Sequence, residues 1–144
     1  MVRFLLELAL VILKNFFMSF VPDNLLYTKD HEWLSQDSNE CTIGITDHAQ
    51  DSLGDVTFVE MPQAGTQFSK GEVFGVIESV KAASDLYMPV SGVISKVNDS
   101  LNDSPEMVNL HPYDDGWIVK IEPSNQDEFN DLLAHTDYEK EIGS

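Results

Sequence analysis

The 144-residue sequence predicts a mainly β domain with short helices, an α+β fold of the sandwich or small-barrel kind. Two features support this prediction. Short runs rich in β-branched and aromatic residues are separated by turn signals, about every 8 to 12 residues, as in sandwiches and barrels. The sequence also lacks a Rossmann glycine pattern, a phosphate-binding loop and a long internal repeat.

The first predicted strands carry their apolar residues mainly on one face. Leu25–Leu34 alternates loosely and contains Tyr27 and Trp33, which is typical of a hairpin arm. Cys41–Thr46 alternates cleanly. We expect the buried face of this second strand to be formed by Cys41, Ile43 and Ile45.

A short helix is predicted to follow this strand. Asp47 has the side chain of a helix cap, His48–Leu53 forms the helical segment, and Gly54 ends it. Asp55–Met61 is rich in β-forming residues and stops before Pro62. The alternation of strand and short helix agrees with an α+β fold.

The second half is predicted to contain more strands and then a C-terminal helix. Gln63–Gly71 is a turn region, and the polar stretch Asn98–Pro105 is a loop. Asn125–Leu133 is predicted to be helical with a cap near Ser124, and Thr136–Ile142 to add one more turn. The predicted strands of this half are Glu72–Val80, Asp85–Val90, Val93–Val97 and Gly116–Ile121.

The chain is strongly acidic. Eight Lys and Arg residues against 25 Asp and Glu residues give a net charge of −17. Such a surface repels nucleic acids and anionic membranes, and it favours transient docking on basic faces of other proteins. Acidity that serves solubility alone is an equally good interpretation. The single cysteine, Cys41, excludes an intrachain disulfide and is interpreted as a small buried hydrophobe.

Residues 1–17 form an apolar N-terminal extension. The run Phe4–Phe20 is short for a membrane span and carries Glu7 and Lys14. It has neither a secretory cleavage site nor the Arg-rich and Ser-rich pattern of a transit peptide. An amphipathic helix is one interpretation, and a true translation start at Met18 is the preferred one. We therefore expect a domain over residues 18–144 in a bacterial cytoplasm, with the mitochondrial matrix as the alternative.

Lys81 is the candidate for chemistry. The predicted strands Glu72–Val80 and Asp85–Val90 flank it, so it lies at or near a hairpin tip if they pair. An exposed amine on a flexible stem suits enzymatic acylation, and Ala82 and Ala83 leave room for a modifying enzyme. Hairpin logic alone still favours an ordinary solvated lysine.

The exact residues around Lys81 favour a modified lysine over an ordinary solvated one. Glu78–Asp85, read as Glu-Ser-Val-Lys-Ala-Ala-Ser-Asp, and Pro89–Gly92 closely resemble the lipoylation segment of glycine cleavage H proteins. Biotin carriers place Met on both sides of the lysine, and lipoyl domains of 2-oxoacid dehydrogenases usually place Asp before it, whereas here Val80 and Ala82 are the neighbours. Further blocks follow the order of the family: Tyr27–Trp33, Gly44–Gln50 with Leu53–Asp55, and Asp115–Lys120.

The resemblance implies a lipoyl-domain-like barrel-sandwich hybrid whose Lys81 carries lipoate in amide linkage. Such a protein is a carrier and not an enzyme. Its arm takes the aminomethyl group of glycine from a pyridoxal-phosphate glycine decarboxylase (P protein) to a tetrahydrofolate-dependent aminomethyltransferase (T protein). Dihydrolipoamide dehydrogenase (L protein) reoxidises the arm. A lipoyl-attaching enzyme would read the segment Glu78, Ser79, Val80 and Ala82, and the carrier is expected to be a monomer.

The resemblance also implies a cleft for the loaded arm. Glu32 and Asp85 match cleft positions and could hydrogen-bond the amine. Asp30 stands where the family often has a small hydroxyl residue, which is a departure from the pattern. Without the resemblance, these residues would be interpreted as ordinary surface carboxylates.

Two other classes of function stay open at this point. One is an enzyme that uses Cys41 or a histidine–carboxylate pair, which predicts activity of the isolated protein and its loss in Cys41→Ala. The other is a binding-only H-like protein that relays lipoate or has lost glycine cleavage. A metal site is not expected, because the histidines lack ligand spacing: His31, His48, His111 and His135.

Overall fold

The computed structural model describes residues 19–143. The predicted extension over residues 1–17 and the predicted start at Met18 therefore lie outside the described residues, as does Ser144. The described chain folds into two antiparallel sheets with a few short helices. This confirms the predicted mainly β, α+β class.

The larger sheet has the strand order β1-β2-β3-β9-β8-β5. Strand β9 pairs with both β3 and β8, so residues distant in the sequence meet at its centre. A short bridge between Tyr27 and Leu133 adds the C-terminal segment to the β1 edge. The strands are β1 (Leu26–Tyr27), β2 (Glu32–Asp37), β3 (Glu40–Ile45), β5 (Gln67–Phe68), β8 (Gly92–Val97) and β9 (Val119–Pro123).

The smaller sheet has the order β4-β6-β7, with β4 over Val56–Glu60, β6 over Val73–Ser79 and β7 over Ala83–Tyr87. Strands β6 and β7 are consecutive and antiparallel, as expected for the hairpin around Lys81. Strand β6 is one residue shorter than predicted at each end, and β7 begins two residues earlier and ends three residues earlier than predicted. Beyond the end of β7, the Met88 N–H still donates to the Glu72 carbonyl at 2.9 Å.

Short helices connect and flank the sheets: α1 (Asp47–Leu53), α2 (Ser100–Asp103), α3 (Met107–Leu110), a 3₁₀ helix (Gln126–Asp131) and α4 (His135–Glu141). Several predicted details differ from the structure: the turn region Gln63–Gly71 contains β5, and the last strand begins at Val119 and not at Gly116. Thr46 caps α1, because its extended backbone lets its hydroxyl accept the Ala49 N–H. The predicted loop over 98–105 contains α2. The segment after β9 is a 3₁₀ helix capped by Asn125 and not by Ser124.

The main hydrophobic core lies between the sheets and takes side chains from both. Cys41, Ile43 and Ile45 are all buried in it, as the alternation of β3 predicts. A second cluster joins the N-terminal strands to helix α4 and consists of Tyr27, Trp33 and Tyr138. Within residues 19–143, no helix is long and apolar enough to cross a membrane.

Candidate functional site: the lysine hairpin and its cavity

Lys81 lies at the tip of the β6–β7 hairpin. The Ser79 N–H donates to the Ala82 carbonyl at 2.8 Å, which leaves Val80 and Lys81 as a two-residue loop. Both loop residues are exposed, Val80 by 67%. The lysine amine is therefore accessible to another protein.

The Ser79 hydroxyl stabilises this tip. Two-residue hairpin loops usually need positive φ angles, yet neither Val80 nor Lys81 is among the residues with positive φ. Instead, the Ser79 hydroxyl accepts hydrogen bonds from the Lys81 and Ala82 N–H groups at 3.2 and 3.1 Å. A residue that the sequence singled out for enzyme recognition thus has a structural role in the loop.

The end of helix α1 and the residue after it contact the hairpin tip. The Val80 N–H donates to the Asp55 carbonyl at 3.0 Å. Gly54 has a φ of 76° and a ψ of −159°, a conformation that is essentially restricted to glycine. A Cβ atom on Gly54 would lie 3.3 Å from Cε of Lys81, so the lysine stem passes over this glycine.

Asn109, on helix α3, links the elements that support the tip. Its Nδ2 donates to the Gly54 carbonyl at 2.8 Å and to Oε1 of Gln50 at 3.0 Å. Its Oδ1 accepts the Val56 N–H at 2.9 Å. This role of Asn109 is not predictable from the sequence, because nothing in the polar segment around it signals contacts with residues more than 50 positions away.

A cavity of about 220 Å³ lies beside the hairpin. The cavity reaches strand β7 at Ser84 and Asp85. Asp85 is three residues from Ala82 at the hairpin tip, or about 10 Å along the strand. Apolar side chains and three carboxylates share its wall, and the three are Asp30, Glu32 and Asp85. The structure therefore brings together the cleft residues that the resemblance implies. The other lining residues are His31, Ile45, Ala49, Ser52, Leu53, Ile77, Ser84 and Leu86.

Glu32 is the buried carboxylate of this cavity, with 2% of its surface exposed. Its Oε1 accepts from the Thr28 hydroxyl at 2.6 Å, and its Oε2 accepts from the Tyr87 N–H at 3.3 Å. Burial raises the pKa of Glu32 to about 7, although these two hydrogen bonds act in the opposite direction. The negative charge of Asp30 adds to the rise.

His31 forms part of the same wall, although the spacing of the histidines in the sequence indicates no shared site. Its ring centroid lies 4.9 Å from that of His48. Burial lowers the pKa of His31, and the neighbouring His48 acts in the same direction. Its position next to Glu32 in the Tyr27–Trp33 block was the signal available. Among residues 19–143, no group of three or more His, Cys, Asp or Glu side chains is arranged to hold a metal ion.

The comparison with protein families shows which family this chain belongs to. The family model described as "Glycine cleavage H-protein" matches residues 25–144. The chain belongs to the glycine cleavage H-protein family. This confirms the family that the four sequence blocks indicated, and it places the chain among carrier components of the glycine cleavage system.

Curated H proteins of bacteria are similar over most of their length. The chain is 54% identical to the glycine cleavage system H protein of Carboxydothermus hydrogenoformans over 123 residues, 85% of this chain and 95% of that protein. It is 56% identical to the H protein of Chromohalobacter salexigens over 123 residues, 85% of this chain and 94% of the other.

A solved structure agrees with the fold. The crystal structure of a glycine cleavage system H protein from Mycobacterium marinum superposes with a TM-score of 0.79 at 34% identity. It covers 86% of this chain and 100% of the other. The predicted barrel-sandwich hybrid is confirmed in this sense, with two sheets that do not close into one barrel.

The residues around Lys81 fit the lipoate that H proteins carry. An amide-linked acyl chain needs an exposed amine, which the two-residue loop provides. It also needs apolar surface nearby for its methylene groups, and Leu53, Ile77 and Leu86 supply this in the cavity wall. The carboxylates of the same wall suit a cationic or hydrogen-bonding end group.

Proposed function

We propose that this chain is the lipoyl carrier of a glycine cleavage system, with lipoate in amide linkage on Lys81. When bound, lipoate supplies a dithiol that carries the aminomethyl group of glycine between enzymes. The observation that carries the proposal is the position of Lys81, exposed at a hairpin tip beside a cavity that Asp30, Glu32 and Asp85 line.

The tip residues are proposed to present Lys81 to a lipoyl-attaching enzyme. Ser79 fixes the loop through its hydroxyl, and Val80 offers an exposed apolar side chain next to the amine. Ala82 is small and leaves access open, and Glu78 is exposed on β6 close to the tip. A fixed, reachable loop lowers the entropy cost of binding in an enzyme's active site.

The cavity residues are proposed to hold the amine end of the loaded arm. Glu32 can accept a hydrogen bond when ionised or donate one when protonated, because its pKa is about 7. Asp85 and Asp30 are exposed at the rim, where they attract a cation without the cost of burying a charge. The apolar wall keeps bulk water away from the amine.

The carrier is proposed to act with partners and to have no catalytic activity of its own. Its partners would be the P protein decarboxylase, the T protein aminomethyltransferase and the L protein dihydrolipoamide dehydrogenase. A net charge of −17 favours fast, transient docking, which suits a monomer that serves several enzymes in turn. We propose a bacterial cytoplasm as its location and residues 18–144 as the carrier domain, which the N-terminal sequence of the native protein would test.

The attachment site is tested by expression with lipoate and a lipoate ligase, followed by intact mass and peptide mapping. We expect one lipoyl adduct on the peptide that contains Lys81, and none in Lys81→Arg. Lys120→Arg is the matched control, since Lys120 lies on β9 away from the tip. This variant should still be lipoylated fully on Lys81. An adduct on another lysine, or biotin in place of lipoate, would contradict the proposal.

The role in glycine cleavage is tested with the modified protein. We expect it to support glycine-dependent exchange of labelled carbon dioxide by a P protein, with saturation in the carrier. Unmodified protein and Lys81→Arg should give the background rate. A modified carrier that the decarboxylase ignores would favour the alternative, an H-like protein that relays lipoate.

A further inference from the structure

A left-handed residue directly precedes the buried carboxylate of the cavity. His31 has a φ of 72°, and it occupies the position after the turn at Lys29 and Asp30 that leads into β2. In hairpin loops of this length, that position is usually taken by glycine. A histidine there is strained, so the rest of the structure must hold it in place.

Three hydrogen bonds fix His31. Its N–H donates to the Thr28 carbonyl at 3.2 Å, and its own carbonyl accepts the Thr46 N–H at 3.0 Å. Its ring Nδ1 lies 2.8 Å from the hydroxyl of Tyr138 on helix α4. The backbone bonds would survive in a glycine, but the bond to Tyr138 needs a side chain.

The Tyr138 hydroxyl extends this contact to the start of helix α1. It lies 2.7 Å from the hydroxyl of Thr46, which in turn accepts the Ala49 N–H at the start of α1. Tyr138 is fully buried, so its hydroxyl has no solvent to replace a lost partner. One polar chain therefore joins the His31 turn, α1 and α4 around the cavity.

We propose that His31 is a positioning residue: its hydrogen bond to Tyr138 holds the turn that keeps the Glu32 carboxylate on Thr28 and Tyr87, at the wall of the cavity. Without this bond, the left-handed backbone of His31 relaxes. Glu32 follows directly in the chain, so its carboxyl shifts from its contacts with Thr28 and Tyr87 towards water. The inference deepens the proposed function, because it rests on the cavity as the place of the loaded arm.

The surroundings of His31 are mixed in charge. Asp30 belongs to its own turn, His48 faces it from α1, and Glu141 faces it from α4. The two acidic groups and the second histidine act on His31 in opposite directions. A change of pH would alter the charges of all these groups together and would not remove the hydrogen bond to Tyr138 alone. The test therefore uses substitutions.

The test is the titration of Glu32 in unmodified protein, followed through the ¹³C chemical shift of its carboxyl. In Tyr138→Phe, we expect the pKa of Glu32 to fall by about 1 to 2 units, since exposure removes part of the desolvation. Tyr27→Phe is the matched control. It removes one hydroxyl from the ring stacked on Tyr138 at 4.7 Å, and that hydroxyl donates to the Pro22 carbonyl instead. It should leave the Glu32 titration unchanged.

A second set of variants separates the side chain from the backbone. His31→Ala cannot bond Tyr138 and keeps the strain of the left-handed backbone, so the pKa of Glu32 should fall as in Tyr138→Phe. His31→Gly removes the bond and the strain together, so its turn should stay in place and the Glu32 titration should remain near that of the wild type. His31→Asn tolerates the same backbone and places an amide near the position of Nδ1, so it should restore the wild-type titration.

An unchanged Glu32 titration in both Tyr138→Phe and His31→Ala would overturn the inference and leave Thr28 and Tyr87 as sufficient supports. A fall in Tyr27→Phe as large as in Tyr138→Phe would also overturn it, because the effect would then be general loosening. The titrated protein carries no lipoate. An unchanged Glu32 titration therefore contradicts only the positioning role of His31, whereas absence of lipoylation at Lys81 contradicts only the proposed function.

Discussion

A Cβ atom on Gly54 would lie 3.3 Å from Cε of Lys81, so the stem of Lys81 rests against the end of helix α1. Such an added atom would be closer to Lys81 than ordinary van der Waals packing allows, and it would lie 3.7 Å from Cγ2 of Val80. The direction of the lysine side chain thus depends on a residue that the sequence marks only as a helix end.

Gly54→Ala should weaken the fold and slow lipoylation. The glycine-restricted backbone costs about 1 to 3 kcal/mol when a side chain is added, and the new methyl group displaces the Lys81 stem. Urea unfolding and a lipoate ligase assay measure the two effects. Gly65→Ala is the matched control, since Gly65 has a φ of 90° and no atom near an added Cβ. It should lose stability but keep the wild-type modification rate, and equal slowing in both variants would exclude the contact as the cause.

Ser79→Ala should slow lipoylation with little global effect. The Lys81 and Ala82 N–H groups lose their shared acceptor, so the two-residue loop becomes more variable. A hydrogen bond of this kind contributes about 0.5 to 1.5 kcal/mol, which corresponds to a roughly two- to tenfold lower kcat/KM of the ligase for this carrier. Ser79→Thr keeps the hydroxyl and should stay near the wild-type rate. If Ser79→Ala is modified as fast as the wild type, the hydrogen bonds to the Ser79 hydroxyl do not determine the rate of lipoylation.

Glu32→Gln should stabilise the protein at neutral and basic pH. An unperturbed glutamate has a pKa of 4.5, and burial raises that of Glu32 to about 7. Between these values, the folded protein holds a proton that the unfolded chain has released, so ionisation of Glu32 lowers stability as the pH rises. The gain in the free energy of unfolding should be near zero at about pH 4.5 and reach about 1 to 2 kcal/mol at about pH 8, allowing for a weaker bond to Tyr87.

Urea unfolding of wild type and variant at a series of pH values measures this difference. Glu122→Gln serves as the control, because Glu122 is exposed on β9, and its difference from the wild type should not change over the same window. A difference for Glu32→Gln that is constant with pH would contradict the raised pKa.

Asn109→Ala should destabilise the base of the lysine hairpin. The substitution leaves the Val56 N–H, the Gly54 carbonyl and the Gln50 side chain without the partner that Asn109 provides. We expect a loss of about 1 to 3 kcal/mol in urea unfolding and faster hydrogen exchange of the Val56 amide. Asn102→Ala, at an exposed position of α2, should change stability by less than about 0.5 kcal/mol. Equal losses in both variants would argue against a special role for Asn109.

Much of the fold could be predicted because its signals are local. The alternation of Cys41, Ile43 and Ile45 depends on a two-residue period, and all three are buried as that period requires. The cap of α1 was misplaced by one residue, because both Thr46 and Asp47 have capping side chains and the choice depends on backbone angles. Segments of four helical residues, such as α2, fall below the length at which periodicity is visible.

The site was predictable where residues are close in sequence and missed where they are close in space. Lys81 and its hairpin follow from two adjacent strands. The bond between His31 and Tyr138 spans 107 positions, and the contacts of Asn109 span more than 50. The left-handed backbone of His31 also runs against residue preference, so no propensity rule would find it.

The place of β9 between β3 and β8 bears on how the protein matures during translation. The lysine hairpin and β4 are complete once Tyr87 has been made, but the six-stranded sheet stays open at its centre until Val119–Pro123 leaves the ribosome. The cavity wall drawn from β2 and β3 rests on that sheet. A nascent chain would thus expose the segment around Lys81 before the cavity can form, and a ligase acting on ribosome-bound chains would meet that segment without the finished cavity.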